Sequence, residues 1–221
     1  MEAPQIWIPP DGGPLYCETP ATYIHGVAEP WNAWSSLFIL LPALYFLFKL
    51  YGQYREYAFL TVCIPLLILG GLGSTLYHAN RDSTFFLYMD VVPTALLFVS
   101  ISFYLWWKVL DNIWAVLLLI LIGTGLSVLT YVAFSGQLAT NIAYVIRGTL
   151  FFVPVIVLLR RTNYRAAALI LGGIAFFCLA LVFRAVDGAA EEILPMGTHF
   201  LWHVSTGIGG LLVAEYLYRM K

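Results

Sequence analysis

YAFLTVCIPLLILGGLGSTLY, residues 57–77, runs 21 residues without a charged side chain. A helix crossing a bilayer core needs about 20 predominantly apolar residues. Similar runs recur on both sides of it, at roughly 33–48, 85–107, 112–134, 138–159, 166–183 and 198–218. They are continuously apolar and do not alternate. Barrel strands would alternate and be about half as long. The expected fold is an all-α membrane protein, a seven-transmembrane-helix bundle forming one domain over residues 1–221. Residues 1–32 form a polar, Pro/Gly-rich entry segment. They lack the basic start and early apolar run of a signal peptide.

Composition narrows the function classes. Of 221 residues, 61% are hydrophobic and 10% charged, where a soluble domain carries about 25% charge. This excludes a soluble enzyme, and the hydrophobicity excludes a disordered chain. The net charge of −1 offers no basic surface for nucleic acid. Basic residues in short loops set orientation. Lys49, Arg55, Lys108, Arg160, Arg161, Arg165, Arg219 and Lys221 fall on one side, and only Arg81 and Arg184 on the other. The N-terminus is therefore expected outside and the C-terminus in the cytoplasm, in an integral, multi-pass protein. Cys17 is alone on the outer side, so no intrachain disulfide is expected. Without a CxxC motif, no thiolate metal site is expected either.

Ionisable groups within spans are costly and mark function by default. Here they are few. His199 and His203, four apart, lie on one helix face. His78 closes the second span with Ser74 one turn before it, and Asp90 lies early in the third. Given the orientation, His78, Asp90, His199 and His203 share one depth near the outer leaflet. Three imidazoles and a water make an open tetrahedral zinc site. Asp90 would accept a proton from water and return it to a leaving amine. Ser74 would donate to a developing oxyanion or hold a ligand histidine. The implied reaction is hydrolysis of an amide or ester of a membrane lipid. The plainer readings stand beside this one. An HxxxH pair alone is more often structural, and Ser74 beside Gly70, Gly71 and Gly73 suits helix packing. Arg147 reads as a structural residue, and Arg184 with Asp187 as a helix-end ion pair. A retinal protein is excluded, because Lys49, Lys108 and Lys221 all sit at span ends.

The strings GSTLYH (residues 73–78), DVVP (90–93) and HFLWHVSTGIG (199–209) resemble the alkaline ceramidases, in a superfamily with adiponectin-type receptors and Per1-like proteins. CETPATYIHGVAEPWNAWSSL (17–37) resembles the ceramidase entry segment. The resemblance runs from about residue 16 to the end. It implies zinc on His78, His199 and His203, with Asp90 and Ser74 as catalytic partners. It also implies a ceramide-like membrane lipid as substrate, cleaved to a fatty acid and a sphingoid base without an obligate protein partner. Calcium in the entry segment is a further implication, with Glu18, Glu29 and the Tyr16 carbonyl as its remaining ligands. Leu15 and Pro20 stand where the family pattern has Asp and Asn. The link from His78 to Asp90 is one residue longer than in the eukaryotic enzymes, which makes Asp82 the alternative acid. Two rival readings stay open: a receptor with a structural zinc, and a small proton-coupled transporter.

Overall fold

The computed structural model describes residues 8–20 and 25–221. Among these, regular structure is entirely helical. Helix α1 (Pro30–Ser36), a 3-10 turn (Leu37–Ile39) and α2 (Leu40–Lys49) form one interrupted segment. Then follow α3 (Ala58–Asn80), α4 (Thr84–Leu110), α5 (Ile113–Ala133), α6 (Gly136–Arg161), α7 (Ala167–Ala185) and α8 (His199–Arg219). Among the described residues, five stretches are long and apolar enough to cross a membrane: Pro30–Lys49, Ala58–Asn80, Thr84–Leu110, Ile113–Ala133 and Ala167–Ala185. Helix α8 is of similar length but carries His199, His203, Glu215 and Arg219. The exposed surface is apolar: Val132 is 81% exposed and Leu121 71%. Water would not tolerate such patches at this extent, whereas lipid would. The protein is an integral membrane protein by this criterion.

Internal prolines fit the same picture. Pro65 and Pro93 sit inside α3 and α4, and helix-breaking residues are tolerated in spanning helices whose freed carbonyls find other partners. The Asn112 side chain starts α5 by accepting from the N–H groups of Trp114 (3.0 Å) and Ala115 (3.1 Å), an N-cap bond. Cys17, Cys63 and Cys178 are free thiols; Cys63 is buried and Cys178 exposed.

The chain folds as two compact units. The one formed by Leu96–Arg165 has a core of Val116, Ile120 and Leu150, with Val99, Phe103, Trp106 and Leu119 packed on it. Trp106 Nε1 donates to the Leu150 carbonyl (2.8 Å). Arg147 Nε donates to Ser127 Oγ (2.8 Å), a structural use for an arginine within an apolar helix.

The other unit, Met1–Ala95 with Ala166–Lys221, holds every candidate residue. In it α8 packs against α7, α1, the 3-10 turn and α2, while α3 packs against α1 and α2. Two glycines set how closely these elements approach. A Cβ on Gly207 would collide with the Phe38 carbonyl, and one on Gly73 with the Met89 carbonyl. Both obstacles are backbone and cannot swing aside. Small residues permit such contacts between membrane helices. They draw α8 onto the turn after α1, and α3 onto α4 next to Asp90.

Gly207→Ala is therefore expected to cost about 1–3 kcal/mol by overpacking. Gly125→Ala, where a Cβ meets nothing within 4 Å among the described residues, is expected to gain roughly 0.5–1 kcal/mol from helix propensity. Thermal unfolding in one detergent compares them, and equal midpoints would contradict the packing argument.

Candidate metal centre

The last turn of α3 and the first two turns of α8 meet at three histidines. His78, His199 and His203 are 1%, 2% and 2% exposed. Each offers a ring nitrogen, and these atoms lie within 4.8 Å of one another.

Local chemistry fixes how the rings face. Residues 28 and 29 run along the end of α3: Ala28 N–H donates to the Ala79 carbonyl (2.8 Å) and Glu29 N–H to the His78 carbonyl (3.0 Å). This satisfies carbonyls that a helix end leaves orphaned. It also puts the Glu29 side chain beside that of His78, where Oε2 lies 2.5 Å from Nδ1. A carboxylate can only accept, so Nδ1 of His78 is the donor in this bond. The outcome for His203 is the same by another route. Ser35 Oγ donates its single proton to the Asn32 carbonyl (3.1 Å), so the Nδ1–H of His203, 2.9 Å away, donates to Ser35. Ser36 lies 3.3 Å from the same nitrogen and 3.0 Å from Ser74 Oγ.

His199 differs. Its Nδ1 is buried without a hydrogen-bond partner among the described residues, a costly state for a polar atom unless something else satisfies it. Its ring stacks on Tyr16 with centroids 3.9 Å apart. The start of its helix is anchored by Asp187. Oδ1 accepts from the N–H groups of Thr198 (2.7 Å) and His199 (2.9 Å), and Oδ2 from that of Cys17 (3.1 Å). Asp187 thus caps α8, a different use from the expected ion pair with Arg184, whose guanidinium lies over the Trp202 ring (5.2 Å).

Of the acids, Asp90 is half-buried and interacts with the Ser74 hydroxyl and with His78. Asp82 is exposed. The set His78, His199, His203, Ser74 and Asp90 therefore comes together. Three imidazoles, two of them with Nδ1 held by outer partners, fit a zinc ion.

The entry segment lies against this cluster. Glu18 accepts from the N–H groups of Trp31 (2.6 Å) and Asn32 (2.8 Å), at the start of α1. Burial raises its carboxyl above the ordinary range, against these two bonds. Glu29 accepts on Oε1 from Arg81 and from Thr19 (2.6 Å), and on Oε2 from Asn32 (3.2 Å) and His78. Burial alone would raise the Glu29 carboxyl. The His78 bond and the Arg81 charge outweigh it and hold the group below the ordinary range. The Tyr16 carbonyl accepts from Thr19 N–H (3.0 Å). The oxygens expected to hold calcium are thus engaged in hydrogen bonds, and Leu15 and Pro20 add none from their side chains. Calcium takes six to eight oxygens, and this donor set does not fit it.

The ceramidase family model matches residues 14–220, nearly the whole chain. The chain belongs to the ceramidase family. No curated protein matches it. The matched stretch contains the three histidines, Ser74 and Asp90, and also residues that sequence reasoning passed over. Arg81 reads as a loop charge and Asp187 as half of an ion pair, and Ser35 and Ser36 carry no reading of their own in the sequence. Each acts on a partner far along the chain, where no local pattern points.

Glu29→Gln keeps the size of the side chain but removes its charge from both Arg81 and His78. Loss of an outer partner typically costs about 10–100-fold in metal affinity. Competition against a zinc-binding dye reads it, and wild-type affinity would contradict the assigned role of Glu29.

Proposed function

We propose that this member of the ceramidase family is an intramembrane, zinc-dependent hydrolase. It cleaves the amide bond of ceramide or a related N-acyl lipid, giving a fatty acid and a sphingoid or similar amine base. The observation that carries the reading is the buried cluster of His78, His199 and His203, with ring nitrogens within 4.8 Å, in a chain of this family.

Zinc, when bound there, supplies Lewis acidity: it makes water more acidic and polarises a carbonyl. The residues do the rest. Asp90, beside Ser74 and His78, accepts a proton from the attacking water and returns it to the departing amine. Ser74 donates to the substrate carbonyl oxygen as charge builds on it, or holds a ligand histidine. Glu29 fixes the tautomer of His78, and Ser35 that of His203. Tyr16, stacked on His199, closes the cluster on the entry-segment side. Burial raises its phenol well above the ordinary range, so it stays neutral.

In this reading α6 and α8 also span, giving seven spans in one domain, N-terminus outside. His78 ends its span there and Asp90, His199 and His203 begin theirs, so the reaction lies near the outer leaflet. The acyl chain lies between helices. The lipid is the only partner required.

His199→Ala or His203→Ala is expected to lose zinc and turnover together, and normal zinc content with normal turnover in either would end the proposal. Asp90→Asn should keep zinc and lose about 10²–10⁴ in rate, the usual share of a general base. Mass spectrometry of products from pure protein and ceramide measures both. The receptor reading requires no turnover in that assay, and the transporter reading requires proton-coupled flux without metal.

A further inference from the structure

Arg81 follows the last residue of α3 in a left-handed conformation (φ 52°), and its side chain has no accessible surface. A guanidinium has five N–H donors and no acceptor. All five are matched here. Nε donates to Asp11 Oδ2 (2.6 Å), and Nη2 to Asp11 Oδ1 (3.3 Å) and the Pro14 carbonyl (3.0 Å). Nη1 donates to Thr19 Oγ1 (3.2 Å) and to Glu29 Oε1. The ring of Tyr77 lies 4.8 Å from its central carbon. Five oxygens from four separated positions of the entry segment thus converge on one fixed positive charge. One of them belongs to the carboxylate that orients His78.

We propose that Arg81 is a built-in cation, fastening the entry segment to the end of α3 in place of a divalent ion, so that the metal centre assembles without calcium. Arg81 acts through Glu29 on His78 and is a positioning residue. Calcium at the same oxygens would have to displace a guanidinium whose five donors are all used. The alternative ligands on Glu18 are bonded to backbone N–H groups. The inference shares the metal centre with the proposed function but does not depend on lipid hydrolysis.

The test uses the full chain in detergent, purified in calcium-free buffer, with no lipid substrate. Metal analysis after exposure to about 1 mM calcium chloride, enough to fill weak extracellular sites, is expected to find no stoichiometric calcium. The thermal midpoint is expected not to move on calcium addition. Stoichiometric calcium, or a midpoint raised by several degrees, overturns the proposal. Arg81→Met leaves Asp11 and Glu29 without their counter-charge and should melt about 10 °C lower. Its zinc affinity should fall about 10–100-fold. Arg81→Lys keeps the charge with three donors and should recover part of both. Wild-type behaviour of Arg81→Met, or no recovery in Arg81→Lys, overturns the role of the charge. If the wild-type chain takes up no zinc, the proposed function fails. The calcium result and the three midpoints still decide this inference.

Discussion

Glu29 is 0% exposed, in a protein with few charges to spare. A buried charge is tenable only when paired and hydrogen-bonded, and Glu29 meets the condition with the arginine that ends α3 and the histidine one turn inside it. Its backbone bond to the His78 carbonyl sets the register, and its two carboxylate oxygens divide the work. One faces Arg81 and Thr19, and through Arg81 reaches Asp11. The other faces His78 and Asn32. Removing one partner of such a pair typically costs about 3–5 kcal/mol. The entry segment, the end of α3 and the tautomer of one histidine therefore stand or fall together.

The second half of the cluster rests on a different device. Helix α8 delivers two histidines, and its position is set at both ends of that pair. Asp187 caps the helix at His199 and also takes the Cys17 backbone N–H, so the same carboxylate ties α8 to the entry segment. One turn beyond His203, Gly207 lets the helix settle on the Phe38 backbone, which brings His203 against Ser35 and Ser36. Polar capping and close apolar approach thus act on opposite sides of one imidazole pair.

Much of this was legible in the sequence, for a physical reason. Charge is so scarce in an apolar chain that a histidine within a span stands out, and topology alone assigns His78, His199, His203 and Asp90 to one end. The helical class follows from run length and lack of alternation. What was not legible depends on pairing across distance. Asp11 and Arg81 are 70 residues apart and look like two ordinary loop charges until the fold joins them. Glu18 and Glu29 invite a calcium reading because carboxylates in a loop do not show whether their oxygens will meet an ion, an arginine or a helix N-terminus. Asp187 and Arg184 have ion-pair spacing, yet the helix start offers Asp187 the better partners. The break at Leu37–Ile39 also left no mark in an apolar run that reads as one span.

Everything the centre does depends on what occupies the space between the three imidazoles. X-ray absorption at the zinc edge on pure, catalytically tested protein addresses it directly. The expected result is zinc bound by three imidazole nitrogens and one oxygen ligand at about 2.0–2.1 Å, in a sample that releases fatty acid from ceramide. A sample that turns over ceramide without zinc, or whose zinc shows sulfur ligands or fewer than three imidazoles, would contradict it.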